Sequence, residues 1–111
     1  MLTLNSNEKI RLENYKNLLD ERFPGLVREL IIFGSKARGD AREDSDLDVL
    51  MIIKEGDWRF KDKIADMGDE MAIGTHCVPT ILIYTEAEKD LRIQRQSSFF
   101  EVVQQEGVSV R

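Results

Sequence analysis

Residues 33–48 read FGSKARGDAREDSDLD, and they join two apolar runs, Leu30-Ile31-Ile32-Phe33 and Val49-Leu50-Met51-Ile52-Ile53. Short runs of this kind, rich in Ile and Val and bounded by turn residues, predict strands covered on both faces. We place the strands at Val27 to Phe33 and Leu47 to Ile53. The link between them leaves little room for a crossover helix, so the pair is predicted to be antiparallel. Within the link, Gly34-Ser35 follows the first strand directly, and Asp46-Leu47-Asp48 opens the second. Two carboxylates at the mouth of a buried strand are costly unless something offsets their charge.

Residues two apart on a strand share a face, so Asp46 and Asp48 are expected to project together. Left alone they repel and raise one another's pKa, a cost that a bound divalent cation removes. Clustered carboxylate oxygens suit magnesium, which keeps water and phosphate oxygens in its remaining positions. Glycine lets a ligand approach the backbone, and a serine hydroxyl with the amides that follow it can donate to phosphate. The combination points to a nucleoside triphosphate between an amide-rich turn and a metal-bearing strand. An Asp-x-Asp in an acidic loop is by itself usually a solvated turn.

The remaining chain fills out one domain. Asn7 or Ser6 can cap a helix to about Arg22, with Ile10, Leu12, Tyr15, Leu18 and Leu19 at helical spacing, stopped by Phe23-Pro24-Gly25. Ala37 sits on a short helical turn. From Trp58 to about Ile73, the recurrence of Phe60, Ile64, Met67 and Met71 marks an amphipathic helix ended by Gly74. Trp58, Phe60, Met67 and Met71 are read as core rather than as a base-stacking platform. Val78 to Tyr84 is a third strand, and Thr85 can cap a helix through Ile93. Ser97 or Ser98 caps a last helix, Phe99 to Glu106, terminated by Gly107. This order predicts an α/β sandwich of the α+β kind, a small mixed sheet of three to four strands flanked by helices.

The 111 residues suit a single domain, residues 1–111, and 41% hydrophobic with 33% charged residues is the composition of a globular core. A net charge of −5 disfavours extended nucleic-acid binding, which relies on Lys and Arg. The start Met1-Leu2-Thr3-Leu4-Asn5 lacks the pattern of a signal peptide and no apolar run is long enough for a membrane span, so a cytoplasmic protein is expected. Cys77 is the sole cysteine, which leaves no internal disulfide or cysteine-based metal site. His76, the sole histidine, is read as a loop or strand-start residue. Lys89, Arg92 and Arg95 follow helical spacing, either as a solvated face or as a positive stripe towards nucleotide or partner. Phe99 and Phe100 are adjacent and cannot point the same way on a helix, leaving one available to a partner.

Gly34-Ser35, ten residues, then Asp46-Leu47-Asp48 between two apolar strands resembles the signature of the polymerase-beta-like nucleotidyltransferase superfamily. Within it the chain is similar to minimal nucleotidyltransferase domains, the small proteins often paired with a helical HEPN partner. "GSKARGDAREDSDLDVLMII" carries most of the likeness, with "PTILIYTEAE" and "FFEVVQQEGVSV" extending it over nearly the whole chain. The resemblance implies transfer of a nucleoside monophosphate, usually AMP from ATP, to a hydroxyl. Asp46 and Asp48 would hold Mg2+ and be catalytic, while Gly34, Ser35, Arg38 and Ser45 would hold the nucleotide. Arg38 and Arg42 either add charge at the leaving pyrophosphate or form salt bridges with Asp40, Glu43 or Asp44. The acceptor could be a HEPN-type toxin, with this chain as its antitoxin, and a homo-oligomer stays open.

One position departs from the resemblance. Active members carry a third carboxylate on the later strand, and here Thr80 stands in its place, with no Asp or Glu anywhere from Ala72 to Thr85. Three alternatives follow: Glu86 or another acid reaches in, the chemistry runs slowly with one well-held metal, or the fold serves as a catalytically weak or inactive nucleotide-binding or interaction module.

Overall fold

The computed structural model describes Leu4 and residues 6–39, 47–68 and 79–110. Helix α1 (Ser6–Arg22) leads into strand β1 (Val27–Phe33), the single turn α2 (Ser35–Arg38), strand β2 (Leu47–Ile53) and helix α3 (Trp58–Gly68). Strand β3 (Pro79–Thr85), helices α4 (Glu86–Gln94) and α5 (Ser98–Glu106), and the short strand β4 (Val108–Ser109) complete the order. Among the described residues the strands form one four-stranded sheet ordered β3-β2-β1-β4. The β1/β2 and β1/β4 pairs are antiparallel and β2/β3 is parallel, giving the mixed α+β architecture expected from the sequence.

The apolar runs become the two central strands, and their side chains alternate between two cores. Val49, Met51 and Ile53 of β2 join Leu30 and Ile32 of β1 beneath α1 and α3, packing with Leu12, Tyr15, Leu19 and Ile64. Leu50 and Ile52 face the other way, against Phe100 and Val103 of α5. Every residue of β2 from Val49 to Ile53 is essentially fully buried, which explains an uninterrupted apolar run where a one-sided sheet would alternate. Each such side chain contributes about 1.5–3 kcal/mol of burial. The Tyr15 hydroxyl donates to the Ile64 carbonyl at 2.7 Å, tying α1 to α3 and satisfying the polar tip of a buried ring.

Three expectations about side chains are corrected. Trp58 is not core: it begins α3 with 67% of its surface exposed, its ring beneath the Arg59 guanidinium. The apolar stripe of α3 starts two residues later, at Phe60 and Ile64, and Trp58 precedes it. Neither Phe99 nor Phe100 is left free. Phe100 is buried edge-on to Tyr84 at 5.3 Å between centroids, and the half-buried Phe99 meets Phe33 at 5.4 Å. Adjacent helical residues diverge by about 100°, and the two rings meet different strands of the sheet, Phe100 at Tyr84 of β3 and Phe99 at Phe33 of β1. Ile10, counted in the apolar stripe of α1, is 58% exposed.

Capping follows the sequence closely. Thr85 and Glu88 form a capping box, with Glu88 N donating to Thr85 Oγ1 at 3.1 Å and Thr85 N to Glu88 Oε1 at 2.8 Å. Ser97 caps α5 and Gly107 ends it. The expected end of α3 at Gly74, together with Met71, His76, Cys77 and Val78, lies outside the described residues. No helix among the described residues is long and apolar enough to cross a membrane.

Candidate active site

The C-terminal end of β1 and the N-terminal ends of β2 and β3 meet at one end of the sheet. Antiparallel pairing sets Phe33 opposite Asp48, and parallel pairing sets Asp48 opposite Thr80. Paired residues share a face, so Phe33, Asp48 and Thr80 form a row across three strands, on the side covered by α5. Neighbouring strands lie about 4.8 Å apart, which makes Asp48 and Thr80 immediate neighbours. Asp48 is half-buried and Thr80 is exposed. The register sets Thr80 beside Asp48 at this end of the sheet.

Gly34 turns the chain out of β1 with φ +76°, a left-handed conformation that side chains disfavour. The lack of a side chain is also needed sterically. A Cβ at this position would run into the Asp48 carboxylate, meeting Oδ2 first and lying 3.3 Å from Cγ. The Gly turn and the Asp-bearing strand are therefore in contact, as the sequence pattern requires. The Gly34 carbonyl accepts hydrogen bonds from Ala37 N and Arg38 N, both at 3.1 Å, which closes α2, and the buried Ala37 anchors that turn in the core.

Of the remaining predicted site residues, Ser35 opens α2, and Arg38 ends it. Arg38 Nη1 lies 3.5 Å from Glu106 Oε2 at the end of α5, an exposed pair of modest strength. This contact was not among the sequence expectations, which paired Arg38 with Asp40, Glu43 or Asp44. Sixty-eight residues separate the partners, and no local pattern signals such a pair. Asp46, Ser45 and Arg42 lie outside the described residues, as do Asp40, Glu43 and Asp44.

Other candidates are held at the opposite end of the sheet. Glu86 pairs with Arg28 at 3.3 Å, after a strand that carries it about 16 Å or more from Thr80. The idea that Glu86 supplies the third acid is thereby overturned. Glu88 bonds Lys61 at 2.5 Å, and this contact, reinforced by Thr85, holds its carboxyl below the ordinary range. Lys89 pairs with Glu29, and Arg92 lies over the Tyr84 ring at 5.7 Å. The stripe formed by these two cations and Arg95 thus serves α4 docking at two of its three positions. Among the described residues no group of three or more His, Cys, Asp or Glu side chains gathers for a metal. The Asp48 carboxylate packed against the Gly34 turn supplies one hard oxygen ligand of the kind magnesium takes.

Comparison with known proteins agrees with this geometry. Residues 12–105 match the nucleotidyltransferase domain family. A candidate protein adenylyltransferase of Methanocaldococcus jannaschii, MJ0604, is 31% identical over 101 residues, covering 91% of this chain and 95% of that protein. The protein adenylyltransferase MntA of Thermococcus cleftensis is 51% identical over 55 residues, 50% of this chain and 52% of MntA. A crystal structure of a candidate nucleotidyltransferase from Sulfolobus solfataricus superposes with a TM-score of 0.50 at 26% identity, covering 82% of this chain and 84% of that one. With its Gly turn set against the Asp of β2 and its relatives among the minimal-type protein adenylyltransferases, the chain belongs to the nucleotidyltransferase domain family.

Proposed function

We propose that the chain is a single minimal nucleotidyltransferase domain that moves AMP from ATP to a hydroxyl on a protein acceptor. The observation that supports this best is the contact between the Gly34 turn and the Asp48 carboxylate. Gly34 lets the turn close against the Asp48 carboxylate, so a triphosphate bound there would meet backbone amides and the acid together, with Ser35, Ser45 and Arg38 as donors to its oxygens. Asp46 and Asp48 would hold Mg2+, whose charge offsets that of the triphosphate and of the departing pyrophosphate. The acceptor oxygen forms a bond to the α-phosphorus. The bond from that phosphorus to the bridging oxygen breaks, and pyrophosphate leaves with the electron pair. Alignment and charge stabilisation carry most of such a transfer, so few side chains suffice.

Labelled ATP, Mg2+ and an acceptor protein test this reading, with a HEPN-type helical toxin as the first acceptor to try. Asp48→Asn should lower label transfer about a hundredfold or more while leaving the fold intact by circular dichroism. Undiminished transfer in Asp48→Asn and in Asp46→Asn would place the chemistry elsewhere.

The exposed hydroxyl of Thr80 beside Asp48 favours a second reading, a nucleotide-binding antitoxin that neutralises its partner by contact. Protection by the Asp46→Asn, Asp48→Asn double variant without any covalent change in the partner distinguishes it. A cytoplasmic location accompanies both readings.

A further inference from the structure

A hydroxyl attacking phosphorus must shed its proton, and a positioned base is worth about 10²–10⁴-fold in such a step. In the row across the sheet, the position next to Asp48 belongs to Thr80, which neither ionises nor accepts a proton at neutral pH. The rest of β3 carries no acid to take its place. Glu86 and Glu88, the nearest acids that follow in sequence, are engaged with Arg28 and Lys61 at the far end of the sheet. The chain offers no acid between Ala72 and Thr85. Thr80 is nevertheless exposed, so the space beside Asp48 is open to an incoming chain.

Resting on the transfer reading above, we infer that the acceptor completes this site with a carboxylate of its own: the preferred substrate is a side-chain hydroxyl with Asp or Glu immediately beside it. The acceptor's carboxylate sits over Thr80 and takes the proton from the attacking hydroxyl, then releases it to water. The oxygen–phosphorus bond forms and pyrophosphate departs with its electron pair, so no further reactant is needed. Thr80 is then a specificity-determining residue: small and uncharged, it admits an acid that an Asp in its place would repel. Selectivity for an acidic neighbourhood arises from a single side chain of the enzyme.

The test uses the full chain with labelled ATP, Mg2+ and matched synthetic peptides in which one tyrosine is preceded by Asp or by Asn. Binding of each peptide is measured separately with a non-hydrolysable ATP analogue. The wild-type chain should label the Asp peptide with a kcat/KM about tenfold or more above the Asn peptide and bind it more tightly. Thr80→Asp should abolish or reverse both preferences, and Thr80→Asn, its neutral match, should retain them. Equal labelling of the two peptides by the wild type, or a preference that persists in Thr80→Asp, overturns the inference and leaves the transfer reading standing. If neither the wild type nor Thr80→Asp labels any peptide, the transfer reading falls and the inference falls with it.

Discussion

Replacing Gly34 by Ala tests the contact on which the site is built, and the structure supplies its own control. Gly34 and Gly25 have nearly the same backbone, with φ of +76° and +74°, but only Gly34 has a neighbour. Nothing lies within 4 Å of a Cβ at Gly25, whereas a Cβ at Gly34 collides with the Asp48 carboxylate. Placing a side chain in the left-handed region costs about 1–2 kcal/mol at either position. Moving Asp48 off its rotamer adds about 0.5–1.5 kcal/mol at Gly34 alone. Gly25→Ala should therefore lower stability by about 1–2 kcal/mol, and Gly34→Ala by about 1.5–3.5 kcal/mol. In a chain of this size each kcal/mol corresponds to about 4 °C in Tm. Urea titration of both variants reads the difference, and ATP binding in the presence of Mg2+ reads whether the displaced carboxylate still serves the nucleotide. Adding Asp48→Ala to Gly34→Ala removes the collision, so the double variant should be less destabilised than the sum of the singles by about 0.5–1.5 kcal/mol. Equal losses for Gly34→Ala and Gly25→Ala, with ATP binding unchanged and no coupling to Asp48, would refute the argument.

Other outcomes follow from the packing and the caps. Thr85→Ala removes the N-cap acceptor of the α4 capping box and should destabilise the protein by about 1 kcal/mol in thermal or urea denaturation. The Glu88 carboxyl titrates lower in the folded protein than in the unfolded chain because of Lys61 and Thr85. Its stabilising contribution is thus present above the unfolded pKa and is lost as pH falls through the folded one. Between neutral and acidic pH, Glu88→Gln should flatten the stability profile relative to wild type, and a profile parallel to wild type would contradict the assignment. Trp58→Ala should change stability by less than about 0.5 kcal/mol, since the ring is mostly in water. As the sole tryptophan, Trp58 should show native-state fluorescence close to that of solvated indole. Ile64→Ala, at a fully buried position facing Tyr15 and β2, should cost about 2–5 kcal/mol.

The elements visible in the sequence are those set by short-range rules. The run from Val49 to Ile53 had one reading because only a central strand buries five consecutive side chains. Thr85 and Glu88 announced their helix because a capping box is a local chemical event. Thr80 was singled out through the family resemblance, and the parallel register sets it beside Asp48. What escaped depended on distance in sequence. The Arg38–Glu106 pair joins the turn after β1 to the end of α5, and only the route of the chain across the sheet brings the two together. Trp58 misled because helical spacing cannot distinguish the first residue of a helix, which overhangs its end, from residues inside the buried stripe. Glu86 looked close to the site in sequence, but the extended strand before it carries it to the other end of the molecule.

The two junctions that flank β2 differ in kind, and this divides labour between them. The seam with β1 is a hairpin, closed by neighbouring segments, and it carries both the glycine bend and the acid that presses against it. The seam with β3 is parallel, needs the α3 crossover to form, and sets Thr80 beside that acid. A substitution at Thr80 acts across the parallel seam and leaves the glycine bend and its hairpin in place, because the two seams are stitched separately to a shared strand. A fold arranged in this way can vary one edge of its candidate site while the hairpin edge stays constant.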